Sequence, residues 1–373
     1  MSALSASQGS SSAGVRIVDV WAENLSAVFR DIRELIITHP YVSMDTEFPG
    51  VVARPVGLSL FGKGASASEF HYQTLRCNVD LLRIIQLGIT LTDEWGNLPK
   101  RGPGEEGEGE EYGCWQFNFK FDLESDMYLA DSINLLTNSG LDFERHRTHG
   151  IEPDDFANLL ITSGLVLEDE GVEWVSFHSG YDFGYLLKSL TDDALPDTEE
   201  GFFELMQVWF PRIWDIKYVM KSVKTLKGGL QEVADDLGVP RIGPQHQAGS
   251  DSLLTAGTFF AMKRRFFGDN IDDSLRGVLF GLNLLHPEPR ANGAFYSSTP
   301  YTSHASIPGA TPGREQSGPP LPGAASVAMM NSIWRPARDS PAGIIANPPS
   351  RTDVRDKAAG DGSASEGPMS PDR

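Results

Sequence analysis

Apolar positions recur at helical spacing through Leu25, Val28, Phe29, Ile32, Leu35 and Ile36, and the pair His39-Pro40 ends the run. This predicts an opening helix. "YVSMDTEF" then reads as a strand, and "RIIQLGITLTDEWGNL" as a second strand with a polar turn behind it. "CWQFNFKFDL" alternates apolar and polar residues and predicts a third. The second half alternates helix and strand. "EPDDFANLLITSG" carries acids at its start and Gly164 at its end, as a capped helix does. "VEWVSFHSG" is a buried strand running into a helix at "DFGYLLKSL". Further helices are predicted at "FFELMQVWF", stopped by Pro211, at "GGLQEVADDLG", and at the long "SDSLLTAGTFFAMKRRFF". Alternating elements of these lengths predict an α/β fold, a mixed sheet flanked by helices.

Composition divides the chain. From residue 291 the text is rich in Pro, Gly, Ser and Ala, and a stretch of this kind buries too little apolar surface to offset chain entropy. The expected organisation is a disordered N-terminus (1–14), one domain (15–287) and a disordered tail (288–373). Within the tail, "MMNSIWRP" (329–336) is either a partner-binding segment or a chance cluster. "FGKGASASE" (61–69) and "PKRGPGEEGEGEEYG" (99–113) are expected as exposed surface loops, the second a mobile one. "MSALSASQGSSSAG" lacks the basic and apolar regions of a secretory signal, and no apolar run approaches the roughly 18 residues a bilayer requires. No membrane association is expected. The two cysteines, Cys77 and Cys114, form no CxxC, which argues for a reducing compartment. The net charge is −20, and residues 291–373 hold seven basic and seven acidic side chains, so the excess belongs to the rest of the chain. Taken alone, that charge argues against a nucleic-acid partner, because phosphate neutralisation usually demands a basic surface.

Four acids and one histidine stand out. Asp45 and Glu47 lie two apart on a strand, so both face one side of it. Lys and Arg are absent between His39 and Arg54, and an unneutralised buried pair costs several kcal/mol. Asp182 sits where a strand turns into a helix, and Asp251 opens the last helix five residues after His246. Structural readings exist for each: Asp182 and Asp251 as helix N-terminal acids, His246 bonded to a backbone carbonyl, Glu47 paired with Arg54. Divalent metal offers another. Mg²⁺ prefers carboxylate oxygens, and two ions roughly 4 Å apart clamp the attacking and leaving oxygens of a phosphoryl displacement. A histidine beside them takes the proton of the attacking water.

The order Asp45-x-Glu47, Asp182, His246-x₄-Asp251 resembles the histidine-containing branch of the DEDD exonuclease superfamily. The blocks "MDTEFPGVVARP", "LRCNVDLLRIIQLGIT", "WQFNFKF", "SFHSGYDFGYLLK", "LKGGLQEVA" and "RIGPQHQAGSDSLLT" are similar, more closely, to the Caf/Pop-type deadenylase subunit of the Ccr–Not complex. The resemblance spans about residues 16–285. It implies an RNase-H-like fold and 3′→5′ exonucleolytic removal of poly(A) from mRNA, releasing 5′-AMP. It further implies two divalent ions, Mg²⁺ or Mn²⁺, held by Asp45, Glu47, Asp182 and Asp251, with Asp45 bridging both and His246 as general base. Phe48 is either a wedge against the terminal base or a core phenylalanine. Leu230 either lines the adenine pocket or simply starts a helix. The implied partners are poly(A) RNA, a Not-type scaffold, a Ccr-type nuclease and Tob-like adaptors, in cytoplasm and nucleus. A largely non-catalytic bridging subunit and a general or DNA-directed exonuclease are the competing functions.

Overall fold

The structure, a computed structural model, describes residues 15–55, 67–102, 107–167 and 171–282, with the backbone of 334–336 and 344–345. Chain order begins with β1 (Ile17–Val20), α1 (Leu25–Leu35), β2 (Tyr41–Glu47), β3 (Ala53–Pro55) and α2 (Ala67–Leu81). It continues through β4 (Gln86–Thr92), β5 (Cys114–Asn118), β6 (Tyr128–Leu129), α3 (Ala130–Asn138), α4 (Phe143–His149) and α5 (Pro153–Ile161). Then come β7 (Glu173–Ser176), α6 (Gly180–Thr191), α7 (Glu199–Trp209), β8 (Ile213–Asp215), α8 (Ile216–Val219), α9 (Leu230–Leu237) and α10 (Ala248–Phe267). Two short strands, β9 (Trp334–Pro336) and β10 (Ile344–Ile345), complete the described chain.

Six strands make one mixed sheet in the order β1-β5-β4-β2-β7-β8. The pairs β1–β5, β2–β7 and β7–β8 are parallel, while β2–β4 and β4–β5 are antiparallel. The α/β class and the flanking helices expected from the sequence are therefore present. Alternation along the strands sorts two unlike faces. One carries Val42, Met44, Leu87, Ile89, Leu91 and Phe117 into a large core with Phe29 and Ile32 of α1, Phe156 of α5 and Phe183 of α6. Each such fully buried side chain contributes roughly 1.5–3 kcal/mol.

The opposite face is polar. It presents Ser43, Asp45, Glu47, Gln86, Gly88, Thr90, Gln116 and Asn118. Such a face reads as solvent-exposed, yet β4 and β5 are buried along their whole length because α10 lies across them. The polar groups satisfy one another beneath it: the Thr90 and Ser252 hydroxyls are 2.9 Å apart, and the Cys114 thiol donates to the Gly249 carbonyl at 3.2 Å. Farther along the same helix, Leu254, Phe259 and Phe260 join Leu230 and Val233 of α9 in a second apolar core.

One loop expectation needs correction. Residues 67–69 form the first turn of α2, with Glu69 favourably placed against its macrodipole; residues 61–66 lie outside the described residues. The 99–113 segment is paired at its base and exposed at 107–109, as a surface loop is expected to be, and residues 103–106 lie outside the described residues. Lys100 and Glu111 bridge, Arg101 N–H donates to the Glu110 carbonyl at 3.0 Å, and the Arg101 guanidinium covers the Tyr112 ring. The expected disordered segments at 1–14 and in the tail fall outside the described residues apart from β9 and β10, which pair antiparallel with β3 and β6. No described helix is long and apolar enough to cross a membrane.

Candidate metal centre

The acid-bearing end of β2 extends past one of its neighbours. β4 follows β2 as far as Glu47, but β7 pairs only with Tyr41, Val42 and Ser43. Beyond Ser43 the backbone donors on the β7 side need another acceptor. Asp182, in the first turn of α6, is that acceptor: its Oδ1 takes the Thr46 N–H at 2.9 Å and the Thr46 hydroxyl at 2.7 Å. A carboxylate thus replaces the missing strand between Asp45 and Glu47. Because β7 leads directly into α6, the strand that stops short also delivers Asp182 to the gap.

The turn between β7 and α6 is held by a residue the sequence reading missed. Asp215, the last residue of β8, is completely buried. Its Oδ1 accepts from the N–H groups of His178 (2.9 Å), Lys217 (2.9 Å) and Tyr218 (3.3 Å), and its Oδ2 from those of Ser179 (3.4 Å) and Phe280 (2.9 Å). His178 turns through the left-handed region at φ +60°. The available signal was an acid closing the apolar triplet "IWD", the same device seen in "YVSMDTE".

The other two predicted residues ride on the start of α10. Asp45 pairs across the sheet with Gly88, and a side chain there would meet backbone: a Cβ would lie 1.8 Å from the Ala248 carbonyl oxygen. Glycine allows the helix start to lie directly on the strand. A buried amide network then fixes it. Gln86 Oε1 accepts the Ala248 N–H at 3.3 Å, Gln116 Oε1 accepts the Gly249 N–H at 3.0 Å, and Gln116 Nε2 donates to Gln247 Oε1 at 2.7 Å. His246, at φ +63°, donates its backbone N–H to Asp251 Oδ2 at 3.0 Å. Both helices that carry acids are thus entered through a left-handed histidine whose N–H is taken by a carboxylate.

The result is a cluster. Oxygens of Asp45, Glu47 and Asp251 lie within 4.8 Å of one another, with Asp182 beside them through Thr46. Glu47, Asp182, Asp251 and His246 are buried, and Asp45 keeps part of its surface exposed. Burial, then the charges of Asp251, Asp182 and Glu47, push the Asp45 carboxyl well above its ordinary value. Burial and the charges of Asp251 and Asp182 do the same to Glu47. Burial lifts Asp182 to about 6 against the hydrogen bonds from Thr46. Arg241 pulls Asp45 and Glu47 back down. It is the neutralising cation that no residue between His39 and Arg54 supplies, and it arrives from almost two hundred residues downstream.

Among the described residues, the side chains of Asp45 and Glu47 have no hydrogen bond or ion pair, so Glu47 is not joined to Arg54. One buried and one partly buried carboxylate without a donor carry a desolvation and repulsion cost, which hard divalent cations remove. The donor set, carboxylate oxygens only, suits Mg²⁺ or Mn²⁺. Phe48 and Leu230 are both packed side chains. Phe48 is buried and stacks on Tyr181 at 5.1 Å between centroids, with Tyr185 at 5.3 Å. Leu230 begins α9 and packs in the second core.

Comparison with known proteins follows the same residues. The model of the CAF1 family ribonucleases matches residues 20–153 and 170–259. The chain is 50% identical over 306 residues to the poly(A) ribonuclease pop2 of Schizosaccharomyces pombe, covering 82% of this chain and 86% of that protein. Its fold is similar to the S. pombe Pop2p structure in its Mg²⁺- and Mn²⁺-bound form, with TM-score 0.65, 53% identity, and coverage of 71% of this chain and 99% of that one. It is also similar to a chain in the yeast NOT1 MIF4G domain co-crystallised with CAF1, with TM-score 0.57, 32% identity, and coverage of 71% and 96%.

Proposed function

The chain belongs to the CAF1 family of ribonucleases, and from that membership we propose that it is a poly(A)-specific 3′→5′ exoribonuclease, a deadenylase that releases 5′-AMP. The observation that carries the reading is the cluster of Asp45, Glu47 and Asp251, in which Asp45 and Glu47 have no donor among the described residues. Asp45, Glu47, Asp182 and Asp251 are the residues that would hold the divalent ions. Ions bound there supply Lewis acidity at the scissile phosphate and a more acidic attacking water. His246, whose backbone is tied to Asp251, receives the proton of that water as it attacks phosphorus. The P–O3′ bond breaks, leaving a shortened chain with a free 3′-hydroxyl. Asp182 keeps its place because Thr46 binds only its Oδ1, leaving Oδ2 for a cation.

A purely bridging subunit has no use for a cluster in which Asp45 and Glu47 find no donor among the described residues, which favours catalysis over that alternative. The relative solved with the NOT1 MIF4G domain supports assembly with a Not-type scaffold. The proposal extends to a Ccr-type nuclease and Tob-like adaptors as further partners, with Phe48 and Leu230 on the adenine side of the site, and to residence in cytoplasm and nucleus. The test is a 5′-labelled oligoadenylate incubated with Mg²⁺ or Mn²⁺. Shortening from the 3′ end that stops with EDTA or Asp45→Ala is expected. Shortening that survives either change refutes the metal centre, and equal rates on oligo(U) or DNA refute the specificity.

A further inference from the structure

Arg241 is the cation facing the acid cluster, and its setting is unusual for a surface arginine. It lies just beyond α9, with its side chain 13% exposed. The guanidinium is held on three sides: Nε donates to Gln231 Oε1 at 2.5 Å, Nη1 to Ser250 Oγ at 3.0 Å, and Nη2 to Asp251 Oδ1 at 2.7 Å. Gln231 is itself anchored, donating Nε2 to Asp235 Oδ1 at 2.8 Å. α9 and α10 therefore fix the charge where it stands, since an arginine fork with three partners has no free rotamer left. We propose that Arg241 is the built-in counter-cation of the metal centre, holding Asp45, Glu47 and Asp251 together when no metal is bound and opposing the loading of divalent ions.

The inference rests on the metal-centre reading and goes beyond it. Asp251 is shared: one oxygen is committed to Arg241 and the other to the His246 N–H, so any ion it ligates enters beside a fixed positive charge. Like charges a few ångströms apart repel strongly in a partly buried site. Removing the guanidinium has opposite consequences in the two states. Without metal, the acids lose the neutralising partner that faces them among the described residues, and the fold loses stability. With metal, the ions no longer compete, and affinity rises. An arginine that merely orients Asp251 has the reverse effect on metal, because a loosened ligand binds less well.

The experiment titrates full-length protein with Mn²⁺ alone, reading free Mn²⁺ by electron paramagnetic resonance and the melting temperature in EDTA and in Mn²⁺. Arg241→Gln is expected to melt lower in EDTA and to bind Mn²⁺ about tenfold or more tightly. Arg241→Lys keeps the charge without the fork and is expected to stay within about threefold of wild type. Should Arg241→Gln prove unfolded in EDTA, folding on addition of Mn²⁺ supports the proposal and failure to fold in Mn²⁺ opposes it. Unchanged or weaker Mn²⁺ binding by Arg241→Gln, or a large loss in Arg241→Lys, overturns the role of Arg241. A wild-type chain that binds no Mn²⁺ overturns the metal centre itself and this proposal with it.

Discussion

Gly88→Ala adds a single methyl group, and its consequence can be worked from the geometry. The new Cβ would lie 1.8 Å from the Ala248 carbonyl oxygen, 2.2 Å from its carbonyl carbon and 2.8 Å from the Gly249 nitrogen. All three are backbone atoms, so no side chain can rotate away. Restoring ordinary van der Waals contact requires the first turn of α10 to retreat by about 1.5 Å. That turn carries Asp251 and follows His246, and Asp45 stands directly across from Gly88. A misplacement of about 1 Å costs on the order of 10²-fold in rate. Overpacking itself costs about 1–3 kcal/mol, a fall of roughly 2–12 °C in melting temperature for a domain of this size. The assay is the initial rate on oligoadenylate together with melts in EDTA and in Mn²⁺. The variant is expected to fold, to lose about a hundredfold in rate, and to lose most of its metal-dependent gain in melting temperature. A rate within threefold of wild type, with the metal gain intact, refutes the claim that this contact sets the site.

Three further outcomes follow from the same geometry. Asp45, Glu47 and Asp182 have folded-state values raised above those of an unfolded chain, so the folded state holds more protons between the two. The share of metal-free stability due to Asp182 is therefore full below about pH 4 and is lost as pH rises through about 6, on the order of 3 kcal/mol, and Asp45 and Glu47 act in the same direction. Melts in EDTA from pH 4 to 8 check this, and a flat or rising curve contradicts it. Asp215→Ala removes the acceptor of five backbone N–H groups and is expected to cost about 3–5 kcal/mol, read by urea unfolding; a cost below about 1 kcal/mol would show that the turn before Asp182 does not depend on it. RNA binding by the isolated chain, with its net charge of −20, is expected to show a shallow salt dependence, and a slope equivalent to six or more phosphate contacts would contradict that.

Most helices and the principal strands are readable in the chain because their apolar positions repeat at 3.6 or 2 residues, as in Leu25–Leu35 and Tyr41–Glu47. The acid set is readable for another reason: two carboxylates on one strand face contradict the core around them. What the sequence conceals is mutual satisfaction at long range. "QLGIT" alternates like a half-exposed strand, and only the structure shows α10 covering its polar side. Gly88 within that strand was the available signal of a close backbone approach. Arg241 was invisible as a neutraliser because a search for cations near residue 45 looks along the chain, whereas the partner comes from the segment between α9 and α10. The "PKRGPGEEGEGEEYG" loop shows a further limit of composition: the backbone pairing at its base, Lys100 with Glu111, leaves no trace in its Gly and Glu content.

The same arrangement resolves the conflict between an acidic chain and a polyanionic substrate. Once ionised, the four carboxylates outweigh the guanidinium facing them by three negative charges, which repel a phosphate. Two divalent ions convert this to a single positive charge in a partly buried place, where charge counts for more than it does in water. Attraction for the scissile phosphate is thus conditional on metal, and the acidic surface beyond discourages any other part of the chain from holding RNA on its own. On this logic, recruitment falls to partners, which raise the local concentration of a weakly held substrate. The site, for its part, is silent until its ions arrive.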